Sequence, residues 1–291
     1  MKKIIVTGGA GFVGTNLINF LLKKTKYNII SLDNYSSGTK KNHIKNSRVK
    51  YIKCNTSDIS KVIKIPNNIK TVFHFGEFSR IYQSFLKMNE CLDSNSIGSN
   101  AVFNFCLKNK IKLIYSATSA SLGNMGKDKN LSPYAFTKAK NLELLENLKK
   151  WFKFKYEVIY FYNVYGPFQI CRGKMSTVIG IFEDHYKNNK PLPVVKPGSQ
   201  MRRFTHIDDT ISICYLAWKK NLCRHYSISN KKSYSILEVA KMFKTKYKFL
   251  PKRAGERYAS ALKDKNLSNK IFKYFGKKNL KDYIKVFLEN N

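Results

Sequence analysis

The sequence predicts an α/β fold, a doubly wound parallel sheet joined to a smaller α/β unit. Two observations carry that prediction. Short apolar runs ending in polar residues alternate with helical patterns through the first half of the chain, which is the rhythm of strands linked by crossover helices. Beyond about residue 166 the rhythm breaks into turn-rich and extended stretches, as expected of an irregular cap on a regular sheet.

The elements follow in order. Residues 3–7 (KIIVT) form a first strand running into GGAGFVG, and a helix follows with Phe12, Leu17, Phe20 and Leu21 on one face. YNIISLDN is a second strand ending at Asp33. RVKYIKCN, TVFHFGEF, IKLIYSAT and YEVIYFYNVYG read as four more, separated by helices that include 95–109 and 134–150. YGPFQICRGKM is a loop, 176–188 is helical, and PLPVVKPGSQMRRFTH is extended. A short helix at 208–220, a strand at 225–229 and helices at 233–247 and 278–289 complete the chain.

A chain of 291 residues with 43% hydrophobic content can bury a sizeable core. No run approaches the about 18 apolar residues that span a bilayer, and MKKIIV leads into glycines rather than a signal-peptide core, so a cytoplasmic location is expected. The six cysteines form no C-x-x-C pair and the five histidines lie apart, so no metal site is expected. The net charge of +36 raises the question of nucleic acid. That charge is mostly lysine spread over the whole chain, without a basic tail, which fits solvated faces and an anionic small-molecule partner better than a nucleic-acid stripe.

TGGAGFVG sets Gly8, Gly11 and Gly14 three residues apart, between a strand and a helix. Glycine suits the close approach of backbone to a pyrophosphate, and the helix N-terminus offers N–H groups and a positive dipole end. Phe12 and Val13 lie within this turn, and Asp33 and Asn34 end the second strand about 20 residues on. A carboxylate there accepts hydrogen bonds from ribose hydroxyls and repels a 2′-phosphate, so NAD is the expected cofactor. SPYAFTKAK places Tyr134 and Lys138 four residues apart at a helix start, on one face. A nearby ammonium lowers the phenol pKa from its usual value near ~10 and makes tyrosine a usable base.

TGGAGFVG, YSATSASLG, SPYAFTK, FYNVYGP and GSQMRRFTHIDD occur in the order seen in the extended short-chain dehydrogenase/reductase family. The chain resembles its nucleotide-sugar epimerase and dehydratase branch, with most similarity to the UDP-glucose 4-epimerases. The resemblance implies a Rossmann-type NAD domain over 1–165 and a nucleotide-sugar domain over 166–291, from which segments can return to the first. It implies that Asp58 and Ile59 flank the adenine, and that Phe75, Gly76 and Asn95 pass close to the cofactor. Asn163 would meet the substrate phosphates, and Arg202 and Arg253 would clamp the diphosphate. Thr118, Tyr134 and Lys138 would be catalytic. It also implies a homodimer through segments 95–109 and 134–150.

Five of the eight arginines (Arg80, Arg202, Arg203, Arg253, Arg257) fall in these candidate substrate segments, and arginine's planar fork suits phosphate recognition. Gly76-Glu77 departs from the small apolar pair usual in the family. Glu77 is expected either to pair with Arg80 and brace the loop or, with Arg80, to touch the sugar. The loop from Gly123 to Ser132 and the C-terminal region look shorter than in the family. His206 is read as structural, and Asp208 and Asp209 as a helix cap. Related 4,6-dehydratases carry Asp-Glu directly after their threonine, whereas here Ser119 and Ala120 follow Thr118. The expected activity is therefore C4 epimerisation of a UDP-hexose through a transient 4-keto sugar. A dehydratase, a reductase or a silent nucleotide-sugar sensor of the same fold are the alternatives.

Overall fold

The structure, a computed structural model, describes residues 2–122, 130–255 and 271–291. Gly123 and Arg257 lie outside them, as does most of the loop before Ser132. Six strands come from the first 161 residues: β1 (Lys3–Thr7), β2 (Asn28–Asp33), β3 (Val49–Lys53), β4 (Ile69–His74), β5 (Lys112–Thr118) and β6 (Tyr156–Phe161). The second half adds β7 (Val164–Tyr165), β8 (Leu192–Val195), β9 (Met201–Arg203), β10 (Thr205–His206), β11 (His225–Ser229), β12 (Ser233–Ser235), β13 (Tyr247–Leu250) and β14 (Ile271–Phe275). The helices are α1 (Phe12–Lys24), α2 (Ile59–Val62), α3 (Ile81–Leu86), α4 (Met88–Leu92), α5 (Ser99–Lys108), α6 (Pro133–Phe152), α7 (Val178–Lys187), α8 (Ile207–Lys220), α9 (Ile236–Met242) and α10 (Leu280–Glu289).

Eight strands form one sheet in the order β14-β11-β6-β5-β4-β1-β2-β3, parallel throughout. The period-two alternation of each strand feeds two cores. Ile5, Val72, Leu113, Tyr115 and Val158 pack on one face with Val102 and Phe103 of α5 and Leu145 of α6. Ile4, Val6, Phe73, Ile114 and Ile159 pack on the other with Leu17 and Leu21 of α1 and Ile211 and Cys214 of α8. Strands buried on both faces read as continuous apolar runs, as they do here. The second half of the chain therefore supplies two strands and a 14-residue helix to the sheet. A separate cluster of Tyr165, Phe182, Val194, Phe204, Val239, Phe243 and Ile284 forms the core of the smaller unit.

Three local expectations change. The helix expected over 233–247 is only α9, because Ser233–Ser235 pairs antiparallel with β9 and Tyr247–Leu250 pairs with β8. A Ser235–Glu238 capping box starts that helix, and Lys244, at φ 52°, lies in the turn that follows it. Asp208 and Asp209 lie in the first turn of α8, but its cap is His206, whose ring accepts from the Asp208 N–H at 3.2 Å. The segment 95–109 begins as a π-helical turn, 93–98, and continues as α5.

Chain order reverses about β1, which lies between β2 and β4. The crevice beyond the carboxyl ends of β1 and β4 is the switch point at which such sheets bind ligands.

Candidate active site

Gly8 follows β1 and Gly76 follows β4, so the two backbones meet at the switch point. Gly8 has φ +68°, and a Cβ there would lie 2.9 Å from the backbone of Gly76. A Cβ on Gly14 would lie 2.1 Å from the Gly8 carbonyl oxygen, so helix and turn pack as closely as glycine permits. Gly11 is the N-cap of α1 and gives its first turn no side-chain cap; Phe12 is buried beneath it and Val13 half-buried. A helix end of this kind offers N–H groups to phosphate. Asp33 at the end of β2 accepts from the Ala10 N–H at 2.9 Å and the Tyr35 N–H at 2.8 Å, which fastens its carboxylate beside the glycine turn. Asn34 joins it to the end of β3 through Asn55 at 2.9 Å. Cradle, helix end and acid together fit a dinucleotide with a free ribose hydroxyl.

Ser132 and Pro133 explain where α6 starts. The serine side chain accepts from the Ala135 N–H at 3.1 Å, and proline takes the first helical position, where no N–H is needed. This start places Tyr134 and Lys138 one turn apart, and both are buried. Thr118 ends β5 and its hydroxyl accepts from the Ala120 N–H at 3.1 Å, so the chain turns sharply away.

Lys138 does not stand alone. Its ammonium pairs with the Glu77 carboxylate, donates to the Ser116 carbonyl at 2.6 Å and lies 4.7 Å from the centre of the Tyr115 ring. The side chains of Lys138 and Glu77 are only 4% and 2% exposed. The other Glu77 oxygen accepts from Ser99 at 2.8 Å, Tyr115 at 3.1 Å and Asn141 at 3.3 Å. Ser99 also meets His74 Nε2 at 2.9 Å, and His74 Nδ1 meets the Thr7 hydroxyl at 2.8 Å. Since Ser99 gives its one proton to Glu77, His74 must donate to Ser99 and accept from Thr7. That arrangement needs a neutral imidazole, and burial does hold the His74 pKa down to about 4.

Glu77 is thus corrected. It does not pair with Arg80, and its carboxylate is taken up by Lys138, Ser99, Tyr115 and Asn141 beneath α6 rather than open to a sugar. Arg80 donates instead to the Met175 carbonyl at 2.9 and 2.6 Å and fastens the β4 loop to the second half of the chain. Asn95, expected near the cofactor, is fully enclosed. It bonds both backbone groups of Phe78, at 2.7 and 3.0 Å, and reaches Thr137 of α6 at 3.2 Å.

Among the other expected residues, Phe75 packs edge-on against Phe161. Asp58 pairs with Lys61 at 2.8 Å, while the Ile59 side chain lies in the core and presents only its backbone. Asn163, at φ 34°, donates to the Arg203 carbonyl at 2.9 Å and couples the β7 segment to β9. Arg202 pairs with Tyr234 in the β9–β12 register, and the Arg253 guanidinium lies 5.2 Å from the Tyr82 ring centre. These residues are placed on separate segments. His206 packs edge-on against Tyr165 as it caps α8. Ser99, Tyr115, Asn141 and the Ser116 carbonyl were not foreseen. Only Asn141 carries a local signal, three residues beyond Lys138 on the same helix.

Known proteins share this fold. Residues 4–229 match the model of the NAD dependent epimerase/dehydratase family. The chain belongs to that family. An ADP-L-glycero-D-manno-heptose-6-epimerase of Brachyspira hyodysenteriae is 28% identical over 261 residues, covering 84% of this chain and 81% of its own. The UDP-glucose 4-epimerase of Thermotoga maritima, solved with UDP-glucose, superposes with a TM-score of 0.86 at 24% identity, covering 99% and 97% of the two chains. A dTDP-glucose 4,6-dehydratase of Streptomyces venezuelae, solved with NAD, gives 0.86 at 17% identity over 99% and 97%. At these identities the two solved structures speak to fold alone. As a member of this family the protein is an NAD-dependent enzyme, and the glycine cradle and Asp33 are the parts that would hold its cofactor. Among the described residues no helix is long and apolar enough to cross a membrane, and no cluster of His, Cys, Asp or Glu could hold a metal ion.

Proposed function

We propose that this protein is a nucleotide-sugar epimerase acting at C4 of a UDP-hexose, and that Tyr134, Lys138 and Thr118 carry the reaction. The observation behind this reading is the pairing of a buried Tyr134–Lys138 turn with a strand end, Thr118-Ser119-Ala120, that has no carboxylate. Elimination of water across C5–C6 needs an acid and a base beside the sugar, and those two positions supply neither. Bound NAD supplies a hydride acceptor and donor at the sugar carbon. Tyr134 as phenolate accepts the proton of the C4 hydroxyl, and Lys138 stabilises that phenolate. Thr118 orients the sugar oxygen. After the keto sugar has turned in the pocket, Tyr134 returns its proton to the same oxygen. Asn163, Arg202 and Arg253 are assigned to the diphosphate, where arginine forks are well suited.

The enzyme is taken to work as a homodimer in the cytoplasm. Ile97 and Phe136 expose apolar surface on the two segments expected to pair, at 59% and 42%, and all six cysteines are free, as in a reducing compartment.

Purified protein is incubated with UDP-glucose, UDP-galactose and their N-acetyl forms without added cofactor, with an ADP-heptose arm. Interconversion at C4 without net NADH is expected, and Tyr134→Phe should lower the rate about 10²–10⁴-fold. A 4-keto-6-deoxy product, or epimerisation of the heptose alone, would overturn the reading.

A further inference from the structure

We propose that Glu77 is a positioning residue for Lys138: its carboxylate keeps the buried lysine an ammonium and fixes where that charge points. The proposal rests on the assignment of Tyr134 and Lys138 above and adds a residue which that assignment does not require.

Direction comes from geometry. An ammonium has three N–H donors, and Lys138 commits one to Glu77 and one to the Ser116 carbonyl, so the direction of the third is set. Glu77 is in turn fixed by donors from three elements, Ser99 of α5, Tyr115 of β5 and Asn141 of α6. The Thr7–His74–Ser99 chain stiffens that support from β1 and β4.

Charge comes from burial. Desolvation lowers the Lys138 pKa, and the Glu77 charge opposes that fall. The other titratable groups around the pair are His74 on β4, Cys91 on α4, Tyr115 on β5 and Tyr134 on α6, with Arg80 facing Tyr134. Burial keeps His74 neutral, pushes the Cys91 thiol up to about 11 and raises Tyr115 well above its ordinary value. Among the described groups facing Lys138, Glu77 is therefore its counter-charge. Without it, a buried ammonium is left unpaired or gives up its proton.

Two measurements test this, one of them independent of substrate. Thermal midpoints of wild type and Glu77→Gln are compared from pH 6 to pH 10. Removing the carboxylate lowers the folded pKa of Lys138 further below its unfolded value. The unfolded chain then binds the proton that the folded chain has lost, so stability rises with pH across that interval. Glu77→Gln should lose about 10 °C near neutral pH, and the deficit should shrink as pH rises. In a Lys138→Met background the same substitution should give no pH-dependent deficit. A deficit that is constant with pH, or that keeps the same slope in the Lys138→Met background, means a packing role and overturns the proposal.

If Glu77→Gln does not fold, the double variant Glu77→Gln/Lys138→Met decides. Folding of the double variant alone supports the pairing, and failure of both refutes it. In the epimerase assay, Glu77→Gln should move the alkaline limb of kcat/KM to lower pH by about one unit or more, while Glu77→Asp keeps it near the wild-type position. Activity retained by Tyr134→Phe would sink the functional assignment and leave the stability result standing. A dead Tyr134→Phe with an unmoved alkaline limb in Glu77→Gln would sink the role of Glu77 alone.

Discussion

Among the described residues, two lysine–glutamate pairs withdrawn from solvent lie at opposite ends of the sheet, and they are built from different materials. At the amino ends of the strands Glu157 of β6, wholly buried, pairs with Lys112 of β5 at 2.9 Å. It also accepts from the backbone N–H groups of Cys223 and Arg224 at 3.0 and 2.8 Å. Glu157 is a clamp: it ties two neighbouring strands to the segment entering β11, and its partners are mostly main chain. At the carboxyl ends the Glu77 carboxylate has side-chain partners, a serine, a tyrosine and an amide besides Lys138. Main-chain partners hold a charge in a fixed frame, whereas side-chain partners link it to groups that exchange protons. The same two residue types thus serve architecture at one end and, in the function proposed above, the reacting groups at the other.

The comparison can be broken by three further substitutions. The largest effect belongs to Glu157→Gln, which leaves Lys112 without its charge partner and weakens two backbone hydrogen bonds. A loss of about 3 kcal/mol is expected in urea denaturation. The pH profile of the reaction should not move, and a shifted alkaline limb would erase the contrast with Glu77.

Asp33 offers an intermediate case. It is built like Glu157, with two backbone N–H donors, but lies at the cofactor end. Asp33→Asn should weaken NAD binding about tenfold, read by fluorescence titration with NADH, at a stability cost of about 1 kcal/mol. Unchanged affinity would remove Asp33 from the cofactor site.

The smallest effect belongs to the exposed lysines. A concavity of about 760 Å³ at the amino ends of the strands is lined by eight lysines, among them Lys2, Lys26, Lys70 and Lys155. Lys70→Gln should change stability by no more than about 0.5 kcal/mol and leave activity alone, because a solvated lysine has water as its partner. A large loss there would mean that charge count, rather than placement, organises this protein.

How far the sequence could be read follows the same division. The glycine turn, the strand ends and the Tyr134–Lys138 turn were legible because each is set within a few residues, by backbone conformation or helical spacing. Asn95 was expected near the cofactor from the family resemblance, and only the fold reveals that its side chain braces Phe78 and α6. The helix expected over 233–247 failed for a related reason. Strand pairing with β8 and β9, remote in sequence, outweighed a weak local preference.

Local order thus determined from the sequence alone the class of fold, the glycine turn after β1, and the spacing that puts tyrosine and lysine on one helical face. The partner of that lysine was decided by tertiary structure. Glu77 and Lys138 are 61 residues apart, and nothing in the periodicity of either segment favours Lys138 over Arg80, which is three residues from Glu77. Their meeting requires β4 and β5 to lie side by side with α6 packed across them, so that both charges leave water together and have each other as the available compensation.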